Sequence, residues 1–381
     1  MKLFECQACG HPLYFENMSC GSCGRSLGYL TIQQTVTALE PDKGAWHALA
    51  ELRQRYRYCS NASHGVCNWL LPSESSDAFC VACRHNRTIP DLSIPENVAH
   101  WRKIEVAKHR LFYTLLKLNL PLKTRMQNPK NGLAFDFLAS PRDAAAAKSV
   151  MTGHDSGVIT INLAEADDAE RERMRREMRE PYRTLLGHFR HEIAHYYWDR
   201  LVRDSPSIEE FRELFGDERE DYGEALQRHY AEGPPSDWSE RFVSAYATVH
   251  PWEDFSETWA HYFHIIDTLE TAGAFGLRLG PKSTNRDALA TEIDFDPYLA
   301  TMERIIDAWL PLTFAVNSIN RSMGIPDLYP FVLPPPVIVK LSFIHAKIHV
   351  LASSHFDDPR RGALRAVIAR LKRAVAMPEL N

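Results

Sequence analysis

A short histidine-containing motif in the middle of the chain has the residue types and spacing of a hydrolytic zinc site. It reads His-Glu-Ile-Ala-His at residues 191–195, within an apolar segment typical of a helix. Residues four apart lie on one helix face, so His191 and His195 can bind the same zinc ion. Glu192 is rotated away from this pair and can act as a general base on a water molecule that the metal activates. The spacing therefore predicts zinc-dependent hydrolysis, with His188 as a neighbour of the ligands.

A catalytic zinc ion usually takes three protein ligands, so a third must come from another segment. The best source is the helix predicted after Pro251, where Glu253 and Glu257 are one turn apart. One of them can bind zinc, and the other can accept a hydrogen bond from a ligand histidine. The alternative is that both carboxylates lie on a solvated face. The same segment contains Trp252, Phe255 and Trp259. These aromatic residues favour a buried helix, in which unpaired carboxylates would be costly.

Two cysteine pairs near the N-terminus have the spacing of zinc knuckles, Cys6 with Cys9 and Cys20 with Cys23. A Cys-x2-Cys turn presents two sulfur atoms to one metal ion, and four thiolates complete a tetrahedral site. These residues predict a structural zinc in a zinc ribbon. If the four cysteines were separate buried thiols, nothing would explain why they occur in two Cys-x2-Cys pairs.

The second cysteine set is less regular, because Cys59 and Cys67 are farther apart than the knuckle formed by Cys80 and Cys83. We interpret it as a second structural zinc site, in which His64 could replace one sulfur. The alternative is that Cys59 and Cys67 are ordinary buried thiols. All eight cysteines precede residue 84, and in a reducing compartment such a cluster indicates metal rather than disulfides.

The elements that position these residues divide the chain into a zinc-ribbon region, 1–90, and a catalytic domain, 95–381. Apolar spacing predicts a first helix from Glu96 to Leu118, an active-site helix over about 168–201 and a third-ligand helix over about 251–270. Two strands are predicted, over 133–138 and 157–163. The second could be the edge of the cleft, where an extended substrate would pair with it, or a plain core strand.

The two motifs together resemble the gluzincin branch of zincin peptidases, which combine His-Glu-x-x-His with a later Glu-x-x-x-Glu/Asp helix. The whole chain resembles a bacterial family of zinc-binding metallopeptidases with an N-terminal zinc-ribbon region. The runs that carry this second resemblance are Tyr14-Phe15-Glu16-Asn17, Cys67-Asn68-Trp69-Leu70 and Glu257-Thr258-Trp259-Ala260-His261-Tyr262. The resemblance implies an α+β, zincin-like fold: a mainly helical catalytic domain with a small sheet, preceded by small zinc-ribbon modules.

The same resemblance implies roles for three residues of the third-ligand segment. Glu253 corresponds to the zinc ligand and Glu257 to its supporter, although the long gap after His195 leaves their order open. Lethal-factor-like zincins place a tyrosine seven residues before the ligand, where it steadies the oxyanion, and Tyr246 has that offset here. His250 is the alternative for this role.

Composition narrows the function further. The net charge is −5 and the pI is about 6.4, and neither indicates attraction to nucleic acid or to a membrane surface. The chain begins without an apolar leader and has no transmembrane-length run, so we expect a cytoplasmic protein. We predict a peptide-bond hydrolase with one catalytic and two structural zinc ions, acting on a peptide or protein. The alternative is a non-catalytic protein that binds or regulates a partner. Substrate specificity and oligomeric state are not determined by the sequence.

Overall fold

The computed structural model describes residues 1–139, 150–177, 183–282 and 288–353. These residues form eight α-helices and thirteen short strands in four sheets, which confirms the predicted mixed α+β class. The helices are α1 (Pro95–Lys117), α2 (Asp168–Glu177), α3 (Leu185–Leu201), α4 (Ile208–Phe215), α5 (Tyr222–Glu232), α6 (Pro251–Ala274), α7 (Met302–Ser322) and α8 (Pro335–Ser353). The chain divides into two compact units, the first comprising residues 1–114 and 121–189 and the second comprising residues 115–120 and those from 190 onward.

The cysteine-rich part of the first unit is built on a five-stranded antiparallel sheet. Its strands pair in chain order, β3 (Leu27–Leu30), β4 (Thr35–Asp42), β5 (Ala45–Ala48), β6 (Glu51–Tyr58) and β7 (Leu70–Pro72). A small buried cluster covers this sheet, formed by Leu30, Leu39, Ala48, Tyr56 and Leu70. A two-stranded ribbon, β1 (Phe4–Glu5) with β2 (Pro12–Leu13), precedes it. Further buried aromatic side chains, Phe15, Tyr29 and Trp69, pack against one another in this region, so it has an apolar core of its own.

The second sheet of the first unit has the order β10–β11–β9–β8. Its strands are β8 (Asn86–Thr88), β9 (Ala134–Leu138), β10 (Gly153–Asp155) and β11 (Val158–Asn162). The strand predicted over 157–163 is β11, which pairs with β9 on one side and β10 on the other. The expectation that it is a sheet edge is therefore wrong. Its branched side chains instead fill a core, and both of its backbone edges are already hydrogen-bonded.

The active-site helix differs in extent from the one predicted over about 168–201. Helix α2 ends at Glu177 and α3 begins at Leu185, while residues 178–182 lie outside the described part of the chain. A proline at position 181 disfavours one continuous helix, because it has no amide hydrogen to donate. The charged run of the sequence forms α2, where Arg173 and Arg175 pair with glutamates three residues earlier.

Helix α6 is the central element of the second unit, and it runs to Ala274 rather than to about residue 270. Its start is well determined, since the His250 side chain accepts a hydrogen bond from the Trp252 amide and Pro251 occupies the first turn. Its aromatic face is buried, and Trp259 stacks on Tyr197 of α3 with ring centroids 5.4 Å apart. This packing holds α3 and α6 side by side.

The remaining helices of the second unit support α6. Phe211 of α4 contacts Phe255, and Lys340 of α8 forms a buried ion pair with Asp254 at 2.6 Å. Helix α7 follows the short hairpin of β12 (Arg278–Leu279) and β13 (Thr291–Glu292). None of the described helices has the length and apolar character needed to cross a membrane. Residues 354–381, the end of the predicted catalytic domain, lie outside the described part of the chain.

Candidate metal centre

His191 and His195 lie on the same face of α3, one helical turn apart. Their ring centroids are 5.1 Å apart, and both rings are mostly shielded from solvent. Ile193, between them in the sequence, is buried on the opposite side of the helix. This division of faces aims the two imidazoles toward the first turn of α6.

Glu253, in that first turn, brings a carboxylate to the two histidines. Its Oε2 lies 2.9 Å from His191 Nε2, and its Oε1 lies 3.8 Å from His195 Nε2. The three donor groups fall within 4.8 Å of one another. The sequence left Glu253 and Glu257 as alternatives, and Glu253 is the one that faces both Nε2 atoms.

These donors fit a zinc ion in both chemistry and spacing. Two ligand atoms of a tetrahedral zinc at bond lengths near 2.1 Å would be roughly 3.4 Å apart, and the two measured separations lie on either side of that value. Glu253 Oε2 is buried and faces His191 Nε2, with no other hydrogen-bond partner among the described residues. A buried carboxylate is costly unless positive charge faces it, and a zinc ion between the two groups would supply that charge.

Glu257 lies one turn further along α6 and contacts the other nitrogen of the first histidine. Its Oε1 accepts a hydrogen bond from His191 Nδ1 at 2.7 Å. Its Oε2 accepts one from the Ser244 hydroxyl, also at 2.7 Å. Proton donation by Nδ1 leaves the lone pair on His191 Nε2, the nitrogen that faces Glu253. Glu253 thus faces the Nε2 atoms of both histidines, and Glu257 contacts the other nitrogen of His191.

Two further hydroxyl groups contact the donor residues. Ser256 Oγ lies 3.1 Å from His195 Nδ1, so it can fix that ring as Glu257 fixes His191. Tyr222, at the start of α5, donates a hydrogen bond of 3.0 Å to Glu253 Oε1. With these contacts, each of the three donor residues is oriented by a neighbouring side chain.

The electrostatics of the site keep Glu253 ionised and His195 neutral, the forms in which these two groups bind metal, whereas at His191 a bound zinc would have to displace a proton. Burial opposes ionisation of Glu253, but the facing imidazoles and the Tyr222 hydroxyl outweigh it and hold its pKa at about 2. Burial lowers the pKa of His195 to about 4, so this imidazole is neutral at pH 7. Burial also disfavours the charged form of His191, yet Glu253 and Glu257 outweigh it and raise its pKa.

The two residues predicted to act on substrate lie at the same site. Tyr246 stands in a short 3-10 turn, with its ring centroid 6.0 Å from that of His191. Burial raises the pKa of its hydroxyl, and the charge of Glu253 adds to this, so the phenol stays protonated. Glu192 is partly exposed on α3, and its charge contributes to the raised pKa of Tyr222 after burial and Glu253.

His250, the alternative to Tyr246, and His261, on the same helix, are engaged elsewhere. His250 Nδ1 accepts from the Trp252 amide, and His250 Nε2 contacts the Glu220 carbonyl oxygen at 3.1 Å. His261 Nδ1 lies 2.6 Å from the hydroxyl of Tyr329. Both are buried and act as parts of the core.

The first cysteine set converges as its spacing predicts. The Sγ atoms of Cys6 and Cys23 are 3.7 Å apart, and those of Cys9 and Cys20 are 3.6 Å apart. Sulfur ligands of one tetrahedral zinc, bound at 2.3 Å, would be roughly 3.8 Å apart. The separations therefore match metal ligation, and all four residues are free thiols rather than disulfides.

The irregular second set also forms a compact four-sulfur group. Cys59, Cys67, Cys80 and Cys83 are all buried, and the Sγ atoms of Cys67 and Cys80 are 3.8 Å apart. Backbone amides of Trp69, Cys80 and Cys83 donate to sulfur atoms of the set. His64 is exposed and belongs to no group of possible metal donors among the described residues.

Sequence reasoning missed three residues of the main site and one beside the second cysteine set. Ser256 lies inside the Glu-x-x-x-Glu segment and could have been suspected from its place between the carboxylates. Ser244 and Tyr222 precede α6 by many residues and carry no local signal. His109 has its Nε2 3.4 Å from Cys67 Sγ, but it lies in α1, 26 residues after Cys83, and carries no local signal either.

Comparison with known proteins agrees with this geometry. Residues 97–347 match a family described as "Putative zinc-binding metallo-peptidase", and residues 3–94 match a "zinc-ribbon domain". Uncharacterized proteins of Mycobacterium bovis and of two Mycobacterium tuberculosis strains are 44% identical over 353 residues, which is 92% of this chain and 96% of theirs. No solved structure matches the chain.

Proposed function

The chain belongs to the putative zinc-binding metallo-peptidase family, and from that premise we propose that it hydrolyses peptide bonds with a zinc ion held by His191, His195 and Glu253. One observation carries the proposal. The donor atoms of these three residues fall within 4.8 Å of one another, and Glu192 follows the first ligand directly in α3. Three protein donors leave a fourth position for water, which distinguishes a catalytic zinc from a closed structural one.

The bound metal would serve as a Lewis acid that polarises the scissile carbonyl and makes a water molecule nucleophilic at neutral pH. The protein supplies the arrangement of its donors. Glu257 and Ser256 orient the two imidazoles, and Tyr222 holds one oxygen of Glu253. The pairing of α3 with the first turn of α6 supports a zincin-like catalytic domain.

Glu192 is the proposed general base. It lies on α3 next to His191, but it projects away from the histidine face and is partly exposed. Its carboxylate can therefore take a proton from the attacking water and deliver it to the leaving amine. A protein that only bound a partner would not need a carboxylate at this position.

Tyr246 is proposed to stabilise the oxyanion that forms as the carbonyl is attacked. Its hydroxyl remains protonated in this site and can donate a hydrogen bond to negative charge. The alternative, His250, has contacts on both ring nitrogens, which favours Tyr246. The two cysteine sets would hold two structural zinc ions, so we expect three zinc ions per chain.

The decisive experiment compares wild type with Glu192→Gln in metal content and in digestion of a peptide library. The matched control is Glu240→Gln, which changes an exposed glutamate of the same unit. We expect three zinc ions in every protein and a loss of activity of about 100- to 10,000-fold in Glu192→Gln alone. An active Glu192→Gln, or an absence of zinc beyond the cysteine sites, would sink the proposal. Full zinc with no peptidase activity in wild type would instead favour the partner-binding alternative.

A further inference from the structure

The second cysteine centre has a fifth donor that its sequence spacing does not reveal. His109, in α1, points its Nε2 at the sulfur atoms of Cys67, at 3.4 Å, and Cys83, at 3.7 Å. The side chain is buried, and it follows Cys83 by more than twenty residues. The four cysteines lie in the zinc-ribbon match, whereas His109 lies in the peptidase-family match.

The two distances are those expected between neighbouring ligands of one metal. Nitrogen and sulfur ligands of a tetrahedral zinc, at bond lengths near 2.05 and 2.3 Å, would be roughly 3.5 Å apart. The observed 3.4 and 3.7 Å separations fall on either side of that value. His109 Nε2 therefore lies at the distance from two of the sulfur atoms that is expected between ligands of one zinc ion. Three cysteines and one histidine are a common zinc donor set.

The other ring nitrogen of His109 is fixed in the way that ligand histidines usually are. Nδ1 donates a hydrogen bond of 2.7 Å to the carbonyl oxygen of Glu105, one turn earlier in α1. This bond sets the ring orientation and leaves Nε2 as the nitrogen that faces the sulfur atoms. A histidine that only filled space would not require both of these contacts.

The nearby carboxylate of Glu105 also groups with Cys83 and His109 as a possible metal donor, and its Oε2 lies 3.8 Å from Cys83 Sγ. It is the weaker candidate, because Oε1 accepts hydrogen bonds from Asn86 at 2.7 Å, Lys108 at 2.8 Å and Trp101 at 3.1 Å, and Oε2 lies 2.8 Å from the Lys108 ammonium. Lys108 is fully buried with it, so the pair neutralises itself inside the protein. His109 is thus the donor that remains available to the cysteine centre.

Cys67 is the cysteine best placed to be exchanged. A cavity of about 350 Å³ reaches the centre, and among the four cysteines only Cys67 lines it, together with His109. Cys67 is therefore the cysteine of this centre that borders the cavity, beside His109.

We propose that His109 is a reserve ligand of the second cysteine centre, which takes the place of Cys67 when that thiolate is lost or modified. The inference rests on the proposed structural zinc at this centre and not on the peptidase activity. It means that the centre survives damage to one of its sulfur atoms, and that in this damaged state the metal would tie helix α1 to the zinc-ribbon region. No histidine or carboxylate among the described residues groups with the cysteines of the first centre, whereas Glu105 and His109 group with Cys83 of the second.

The test counts zinc in the purified full chain for Cys67→Ala, His109→Ala and the double variant. We expect Cys67→Ala and His109→Ala each to retain as many zinc ions as wild type, and the double variant to hold one fewer. Cys9→Ala is the matched control in the first centre, and we expect it to lose one zinc ion. Cobalt substitution provides a second readout, since Cys67→Ala should lose about a quarter of the sulfur-to-cobalt charge-transfer intensity of this centre and shift its visible bands toward those of a Cys3His site.

The proposal is overturned if Cys67→Ala loses a zinc ion whether or not His109 is present, or if it fails to fold while His109→Ala is normal. In either case His109 would be only a hydrogen-bonding neighbour of the sulfur atoms. A wild-type chain whose zinc count and cobalt spectrum show no metal at the second centre would overturn the proposed structural zinc itself, whether or not the catalytic site is filled. That outcome is distinguishable, because it appears before any variant is compared.

Discussion

Glu257 Oε1 lies 2.7 Å from His191 Nδ1, while Glu253 Oε2 lies 2.9 Å from Nε2 of the same ring. One imidazole is therefore held between a buried carboxylate, Glu253, and a partly exposed one, Glu257, which are a single turn apart on α6. The inner carboxylate shares its side of the ring with His195, and the outer one is held by Ser244. This arrangement separates binding of the metal from orientation of its ligand.

The first prediction follows from that separation. Glu253→Gln should abolish zinc binding at this site, because it removes the anionic donor. Glu257→Gln should weaken zinc binding by about 10- to 100-fold, since His191 would keep its place but lose its orienting partner. Competition with a chromophoric chelator measures both affinities. Ser244→Ala should have a smaller effect than either, and a reversed order of the two glutamate variants would exchange their assigned roles.

Substitution of Tyr222 should mainly lower zinc affinity, whereas substitution of Tyr246 should mainly lower kcat. Tyr222→Phe removes the hydrogen bond to Glu253 Oε1, so zinc affinity should fall by about 10-fold. Tyr246→Phe should change zinc affinity less than Tyr222→Phe, since its hydroxyl contacts Tyr222 rather than a metal donor, and should lower kcat by about 100- to 1,000-fold because the developing oxyanion loses a hydrogen bond. Tyr230→Phe, an exposed tyrosine on α5, is the control. Equal losses of affinity in Tyr222→Phe and Tyr246→Phe would contradict the division.

The buried pair of Asp254 and Lys340 should make stability depend on pH. Burial raises the pKa of Asp254 to about 7, although Lys340 partly opposes this. Because the folded pKa lies above the unfolded value, the contribution of Asp254 to stability is full at low pH and is lost as the pH rises through about 7. Removing Lys340 should therefore cost more at pH 8 than at pH 5.5, where the carboxyl can remain protonated.

Lys340→Met tests this dependence. At pH 8 we expect a loss of about 3–5 kcal/mol in the free energy of unfolding, measured with denaturant, and a clearly smaller loss at pH 5.5. Lys347→Met is the control on the same helix, since Lys347 pairs with the partly exposed Glu210 and its loss should cost under about 1 kcal/mol at both pH values. A loss that is independent of pH would show that Asp254 does not titrate in this range.

The two cysteine centres should release zinc at different rates. Cys9 is exposed and Cys23 is partly exposed, whereas every cysteine of the second set is buried. A chelator should therefore remove zinc first from the first centre, in a fast phase followed by a slower one. Cys9→Ser should abolish the fast phase and Cys80→Ser the slow one. Loss of the fast phase in Cys80→Ser would invert the order.

Local spacing in the sequence was enough wherever one helix or one turn contains the whole relationship. The pairing of His191 with His195 follows from helical periodicity, and each Cys-x2-Cys knuckle follows from the geometry of a single turn. The family that these motifs resemble is confirmed, and so is the mixed α+β class. The strand over 157–163 was also correctly predicted to exist, because branched alternation is a local property.

Only the tertiary structure decided how the separate segments meet. Two glutamates one turn apart are equivalent in sequence, and the register of α6 against α3 brings Glu253 to the Nε2 atoms and Glu257 to Nδ1. Tyr222, Ser244 and His109 enter their sites from distant segments, so no local pattern marks them. Sheet order likewise placed β11 inside the sheet, because strand neighbours depend on contacts between segments that are far apart in the chain. Sequence periodicity reports which face of an element is buried, whereas contacts between elements determine which side chains share a site.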